Sequence, residues 1–235
     1  MKTLITIILV LLLIILFHEC KKDSGDTKPE TGTISDIDGN MYKTVKIGNQ
    51  WWMAVDLKTT RYSNGDIIPT TSPSSLNISG ESNPKYQWDY SSVSFTNVDA
   101  YSRLYTWYAV IDSRDLCPTG WHVPSVDEWT KLSDFLGGKD VAGGKLKEVG
   151  YTHWLNPKTG STNESGFTAL PCGYRGGDSN IIGVAGVSLM GYWWSVTQIN
   201  DSQAYILILD QFSSQAYVGG SCLKYYGCCV RCIKD

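Results

Sequence analysis

An almost unbroken apolar run, Leu4 to Phe17, follows Lys2 and stops three residues short of Cys20. Fourteen residues of helix rise about 21 Å, short of the roughly 30 Å of a bilayer core. A basic residue ahead of an apolar run of this length has the pattern of a signal-peptide core, whereas an uncleaved anchor helix needs a longer run. This one feature restricts everything downstream. It predicts a folded body that begins beyond the run and matures in a compartment where cysteines oxidise. Residues 1–19 read as the signal peptide. The tract Lys21 to Thr33 is polar, carries Pro29 and two glycines, and reads as a flexible tether.

Cys20 followed by Lys21, Lys22 and Asp23 resembles the lipobox of bacterial lipoproteins, in which the cysteine is lipidated and becomes the mature N-terminus. His18 and Glu19 stand where such boxes usually carry small residues. The resemblance implies a lipidated Cys20 on a tether spanning residues 20–33, a membrane partner reached through that lipid, and an outer-membrane location. Asp23 and Asp26 hint at surface display; the choice between surface and periplasmic face stays open.

Seven cysteines are present, and six remain if Cys20 carries lipid: Cys117, Cys172, Cys222, Cys228, Cys229 and Cys232. An even count in an exported chain suggests disulfides, with fifteen pairings open for six cysteines. The competing zinc reading rests on Cys229-Val-Arg-Cys232, which lacks a second CxxC or a spaced histidine pair. No metal and no cofactor are expected.

Apolar residues make up 42% of the chain and charged residues 18%, enough for a core and too little charge for a disordered chain. Nine Trp and fourteen Tyr beside twenty-three Gly favour short strands and turns over a helical bundle. A net charge of −3 argues against nucleic acid as a partner, since that affinity comes from neutralising phosphates.

Local patterns place the elements. Residues 34–62 read as strands around a turn at Asp36-Ile37-Asp38-Gly39-Asn40. The spacing Asp36, Asp38, Asn40 imitates the start of a calcium loop, but Met41 and Ile47 occupy the positions that need Gly and Glu. Residues 63–100 read as a long loop in which Tyr86, Trp88 and Tyr90 alternate as a short strand or an exposed patch. Tyr101 to Ile111 reads as a helix, with Leu104, Trp107, Tyr108 and Ile111 at helical spacing. Ser125 and Glu128 form a capping box ahead of Trp129, Leu132 and Leu136, and Gly137-Gly138 ends that helix. Thr168–Leu170, Tyr192–Val196, Ala204–Leu209 and Cys229–Ile233 read as strands.

An ordered series of motifs then adds up. Asp36-Ile37-Asp38-Gly39-Asn40 with Tyr42-Lys43-Thr44-Val45, then Ile47-Gly48-Asn49-Gln50, opens it, and Tyr105-Thr106-Trp107-Tyr108-Ala109-Val110 follows. Cys117-Pro118-Thr119-Gly120-Trp121-His122-Val123-Pro124-Ser125, Gly143-Gly144-Lys145-Leu146-Lys147 and Asn163-Glu164-Ser165-Gly166-Phe167-Thr168-Ala169-Leu170-Pro171 come next. Gly191-Tyr192-Trp193-Trp194-Ser195 and Val230-Arg231-Cys232-Ile233 close it. Over residues 34–235 the chain resembles the Fibrobacter succinogenes major paralogous domain, whose members are typically exported proteins of Bacteroidetes and related bacteria, often lipoproteins. More distantly it is similar to C-type-lectin-like domains and to the formylglycine-generating branch of that fold. The resemblance implies an α+β domain with two helices, small antiparallel sheets and long loops. It also implies a Cys117–Cys232 disulfide. Val55-Asp56, Cys172-Gly173 and Cys228-Cys229 depart from the family pattern, so Cys172, Cys222, Cys228 and Cys229 look like additions able to make two further local bridges, with the pairing open.

No catalytic residue is assigned. His122 reads as a buried structural histidine, and neither HExxH nor GxSxG is present. An oxygen-dependent modifying enzyme of the formylglycine-generating type is the enzyme alternative, with Cys228-Cys229 or Cys222 as its thiols. A purely structural surface or adhesion component is a third reading. The favoured reading is a non-catalytic interaction domain that binds carbohydrate or a surface protein. Adjacent Trp193 and Trp194 would face opposite sides of a strand, one in the core and one outside, with Arg175, Asp178 and Tyr192 nearby in a lectin-like layout. Calcium-binding lectin signatures are absent from the sequence, so sugar binding is expected to be calcium-independent. In a Gram-negative host, Cys20→Ser is expected to abolish lipid labelling and release the protein from the membrane fraction; unchanged labelling would refute lipidation at Cys20.

Overall fold

The computed structural model describes residues 28–91, 100–156 and 160–235. The segments on which the signal-peptide, Cys20 and most of the tether expectations fall, residues 1–27, lie outside these. The described residues form an α+β domain of three small antiparallel sheets and three short helices.

The first sheet begins as a meander of β1 (Thr31–Ser35), β2 (Met41–Ile47) and β3 (Gln50–Met53). The predicted turn between β1 and β2 is held by the Asp36 carboxylate, which accepts from the Asn40 backbone N–H at 2.9 Å, from Asn40 Nδ2 at 2.8 Å and from the Tyr42 hydroxyl. The turn needs Gly39 at φ +81°, a conformation open to glycine without a Cβ penalty. β4 (Gln87–Trp88), β5 (Leu104–Thr106), β6 (Trp121–His122), β7 (Tyr174–Gly177), β8 (Ile182–Ala185), β9 (Met190–Gln198), β10 (Gln203–Asp210), β11 (Tyr217–Leu223), β12 (Gly227–Cys228) and β13 (Ile233–Lys234) complete the strands. The sheet orders are β1-β2-β3-β13-β6, β11-β10-β9 and β4-β5-β12-β7-β8.

The helices are α1 (Trp107–Val110), α2 (Val126–Phe135) and α3 (Lys139–Leu146). Helix α2 starts where the capping box predicts: Ser125 Oγ accepts the Glu128 N–H, and the Glu128 carboxylate accepts the Ser125 N–H at 2.8 Å. Trp129 and Leu132 are buried on its inner face. Gly137 and Gly138, at φ +101° and +92°, end the helix in the left-handed region.

Three expected elements change. Thr168–Leu170 is not a strand and makes only an isolated bridge, from Ala169 to Lys147. Instead of one helix over Tyr101–Ile111, Leu104–Thr106 is a strand and only Trp107–Val110 is helical. The pairing partners of β5, Gln87–Trp88 and Gly227–Cys228, are remote in sequence, and a local periodicity does not register them. Likewise Cys229–Ile233 is not one continuous strand. The Val230 and Cys232 carbonyls accept N–H groups of Leu57 at 2.8 Å and Met53 at 3.0 Å, while Arg231 turns the other way. In the 63–100 segment Gln87–Trp88 is a short strand, and Trp88 and Tyr90 are buried rather than an exposed patch.

The core has two apolar clusters. Trp52, Trp129, Phe167, Trp154 and Trp193 build one; Tyr42, Met53, Trp107, Trp194 and Val230 build the other. Trp52 stacks on Trp129 at 4.8 Å between ring centroids. The Gly143-Gly144 pair of α3 lets the 214–215 backbone pass: a Cβ on Gly143 would sit 2.0 Å from the Gln215 carbonyl oxygen. Lys147 at the end of α3 is fully buried, donating to the Asp210 carbonyl at 2.9 Å and the Ser213 carbonyl at 2.6 Å. Burial depresses its ammonium pKa below the ordinary lysine value.

Arg231 joins the two ends of the domain. Its Nε donates to Asp56 Oδ1 at 2.7 Å, Nη1 donates to the Phe167 carbonyl and Nη2 to the Thr168 carbonyl at 3.3 Å. Its guanidinium lies 3.9 Å from the Phe167 ring centroid. Trp193 Nε1 donates to the same Asp56 oxygen at 2.8 Å. The Cys117–Cys232 disulfide, with α-carbons 6.0 Å apart, fixes the approach to β6 beside the closing strand.

Two stability outcomes follow from these contacts. Ser125→Ala is expected to cost about 1 kcal/mol, the usual loss for a removed cap; an unchanged urea midpoint would place the start of α2 elsewhere. Arg231→Met is expected to cost about 3–5 kcal/mol by leaving Asp56 as a buried charge without its cation, and denaturant unfolding with a loss below 1 kcal/mol would refute that role.

Candidate tyrosine cleft

A cleft of about 290 Å³ opens where β7, β9, β10, β11 and the β11–β12 turn converge, walled by Tyr174, Tyr192, Tyr226, Gln203, Ser221 and Cys222. The strand alternation of β7 decides which of its residues reach the cleft. Tyr174 faces it and Arg175 points to the opposite side. Tyr226 stacks on Tyr174 with centroids 5.8 Å apart and 8° between ring planes, and Tyr192 meets Tyr174 edge-on at 5.1 Å and 71°. The three rings are half-buried.

Hydrogen bonds fix the cleft's rim. Asp178, after β7, accepts the hydroxyls of Tyr226 at 3.0 Å and Tyr225 at 3.2 Å. The same carboxylate caps its own turn through the N–H groups of Asn180 at 2.9 Å and Ile181 at 3.1 Å. Those backbone bonds hold its pKa below the ordinary carboxylate value. The Tyr226 hydroxyl is pushed up by burial and by its bond to Asp178, so it stays a neutral donor. Burial likewise raises the Tyr192 hydroxyl, which donates to Met190 Sδ at 2.9 Å.

The expected ligand residues therefore separate. Tyr192 lines the cleft and Asp178 braces it. Arg175 does not reach it: the side chain is 1% exposed, lies 4.2 Å from the Trp88 ring centroid and donates through Nη2 to the Ser74 carbonyl at 2.8 Å and the Leu76 carbonyl at 2.5 Å. Burial lowers its guanidinium pKa to about 10. Trp193 and Trp194 do face opposite sides of β9, but the expected exposed partner is absent, because each is 0% exposed in a different core cluster. β9 is covered on both faces at these two residues, and the Trp194 indole N–H is satisfied by the Tyr105 carbonyl at 2.6 Å. Tyr174, Tyr226 and Gln203 were not singled out by sequence reasoning. No local signal marks them, because the cleft joins segments that are remote in the chain.

His122 is also placed differently from the expectation. Its side chain is 41% exposed and bridges Glu128 at 2.9 Å and Asp235 at 2.6 Å. Burial alone would lower its pKa; the two carboxylates outweigh this and raise it.

The remaining cysteines fall into two groups on opposite sides of the closing segment. Cys228 Sγ lies 3.7 Å from Cys222 Sγ. The thiols of Cys172 and Cys229 and a carboxylate oxygen of Asp56 all lie within 4.8 Å of one another, fully enclosed. The Tyr90 hydroxyl donates to the Cys172 carbonyl at 2.7 Å and lies 3.8 Å from Cys229 Sγ. The buried guanidinium of Arg231 already supplies the positive charge beside Asp56, so the cluster is organised as an ion pair flanked by thiols. Burial pushes the Cys228 and Cys229 thiols well above the ordinary range, which keeps them protonated and weakly nucleophilic. Adjacent in sequence, these two do not face each other.

Among the described residues no helix is long and apolar enough to cross a membrane. Comparison with curated proteins and with solved structures finds no match. The family model of the Fibrobacter succinogenes major domain matches residues 45–234, from the middle of β2 through β13. The span holds both core clusters' tryptophans, the Asp56–Arg231 pair, the Cys117–Cys232 disulfide and the whole tyrosine cleft, and on that match the chain belongs to the Fibrobacter succinogenes major domain family.

Proposed function

We propose that the protein is an exported, lipid-anchored component of the cell envelope whose lectin-like domain binds carbohydrate without catalysis. The observation that carries this reading is the cleft of three tyrosine rings with Gln203 and Ser221 at its edge. Tyrosine faces pack against the C–H faces of sugar rings, and side-chain amides and hydroxyls satisfy sugar hydroxyls. A volume of about 290 Å³ lies near the lower end of small-molecule sites and suits one terminal sugar ring, with further rings outside. The mostly neutral lining argues for a neutral sugar over an anionic one. The apolar run and Cys20 support export and anchoring.

The test is a glycan array probed with the full chain in detergent, followed by calorimetry on the strongest ligand. Retention of neutral glycans, unchanged by a calcium chelator, is the expected result. Tyr226→Ala is expected to weaken binding about tenfold, equivalent to about 1.4 kcal/mol, within the range for truncating an aromatic anchor. An empty array, or unchanged affinity in both Tyr226→Ala and Tyr192→Ala, would refute this use of the cleft.

A further inference from the structure

Cys222, near the end of β11, and Cys228, in β12, belong to one short excursion, joined by the turn that carries Tyr225 and Tyr226. Their sulfurs are in van der Waals contact at 3.7 Å, so a bond needs only small side-chain adjustment. The two thiols are unequal. Cys222 is half-buried and forms part of the cleft wall, whereas Cys228 is fully buried behind it. Cys172 and Cys229 are also close, but both are enclosed beneath Tyr90. Among the described residues, a soluble oxidant entering the tyrosine cleft therefore meets one thiol, and that thiol has one neighbour within reach.

We propose that Cys222 and Cys228 are a modification site, a thiol pair closed to a disulfide by exchange with a small disulfide such as oxidised glutathione. The Cys222 thiolate attacks one sulfur of the incoming disulfide, forming a Cys222 mixed disulfide and expelling one small thiolate, which takes up the proton Cys222 lost. Cys228, on giving up its proton, attacks the Cys222 sulfur. The mixed disulfide breaks, the Cys222–Cys228 bond forms, and the second small thiol leaves with that proton. The two protein thiols are oxidised by two electrons, and one small disulfide is reduced to two small thiols. Entry at Cys222 is required by exposure; burial disfavours the Cys228 thiolate until the mixed disulfide is beside it. The bond would close the turn that holds Tyr225 and Tyr226 against Asp178 and so fix one wall of the cleft. The inference stands whether or not the cleft binds a sugar.

The test uses the full chain in detergent, equilibrated across a series of reduced and oxidised glutathione, quenched in acid, alkylated and mapped without reduction. Trypsin separates Cys222 from Cys228 at Lys224, and fragmentation between Cys228 and Cys229 assigns the partner. The expected product is a Cys222–Cys228 crosslink, with Cys172 and Cys229 alkylated only after denaturation. In Cys228→Ala the reaction is expected to stop at a glutathione adduct on Cys222, and in Cys222→Ser neither the adduct nor the crosslink forms. Separate alkylation of Cys222 and Cys228 throughout a series in which Cys117–Cys232 is oxidised would overturn the proposal. So would a crosslink from Cys222 to Cys172 or Cys229, or the absence of the adduct in Cys228→Ala.

Discussion

The buried contact between Arg231 and Asp56 organises the rest of the domain. A guanidinium with no exposure needs a counter-charge and acceptors for its fixed fork of donors. The structure supplies them from two remote stretches: the Asp56 carboxylate after β3, and the segment that offers the carbonyls of Phe167 and Thr168 together with the Phe167 ring face. Trp193 completes the set by donating to the same carboxylate. No single stretch satisfies the arginine, so the opening meander, the loop ahead of β7, the central strand β9 and the closing segment must assemble together. Asp56 is the residue on which this assembly converges.

Burial of β9 on both faces is the second consequence of that arrangement. Trp193 goes to the cluster of Trp52, Trp129 and Phe167, and Trp194 to that of Tyr42, Trp107 and Val230. The indole N–H groups of Trp193 and Trp194 both find acceptors, as buried tryptophans generally do. A strand filled on both sides leaves no large aromatic on it for solvent except at its N-terminal end, where Tyr192 emerges. The aromatics left partly open beside β9 are therefore tyrosines, where β9 meets β7 and the β11–β12 turn, and the hydroxyl-bearing cleft is a by-product of how the tryptophans are consumed.

What could be read from sequence divides along the range of the interactions. The Ser125–Glu128 box and the Asp36–Asn40 turn involve neighbours a few residues apart, so residue types alone specify them. The motif series was specific enough to identify the family and the Cys117–Cys232 disulfide. The helix expected over Tyr101–Ile111 fails because β5 gains ladder partners from residues 87–88 and 227–228, and helical spacing is blind to distant partners. The exposed tryptophan was expected for the same reason: alternation says that two neighbours face opposite sides, but not that both sides are covered. Tyr174 and Tyr226 were illegible as cleft residues because their stacking joins segments some fifty residues apart.

The Cys117–Cys232 bond also has a topological consequence. Its two cysteines are separated by 115 residues, a span that includes α2, α3, all of β7 to β12 and the exposed stretch around Tyr151 and Leu155. A protease that cuts once anywhere inside this span yields two chains still joined by a covalent bond, and the piece carrying the cleft does not leave the piece that begins at the N-terminus. Only a second cut, or reduction, sets it free. For a domain with a surface-exposed segment in its middle, the bridge converts a severing event into a scar.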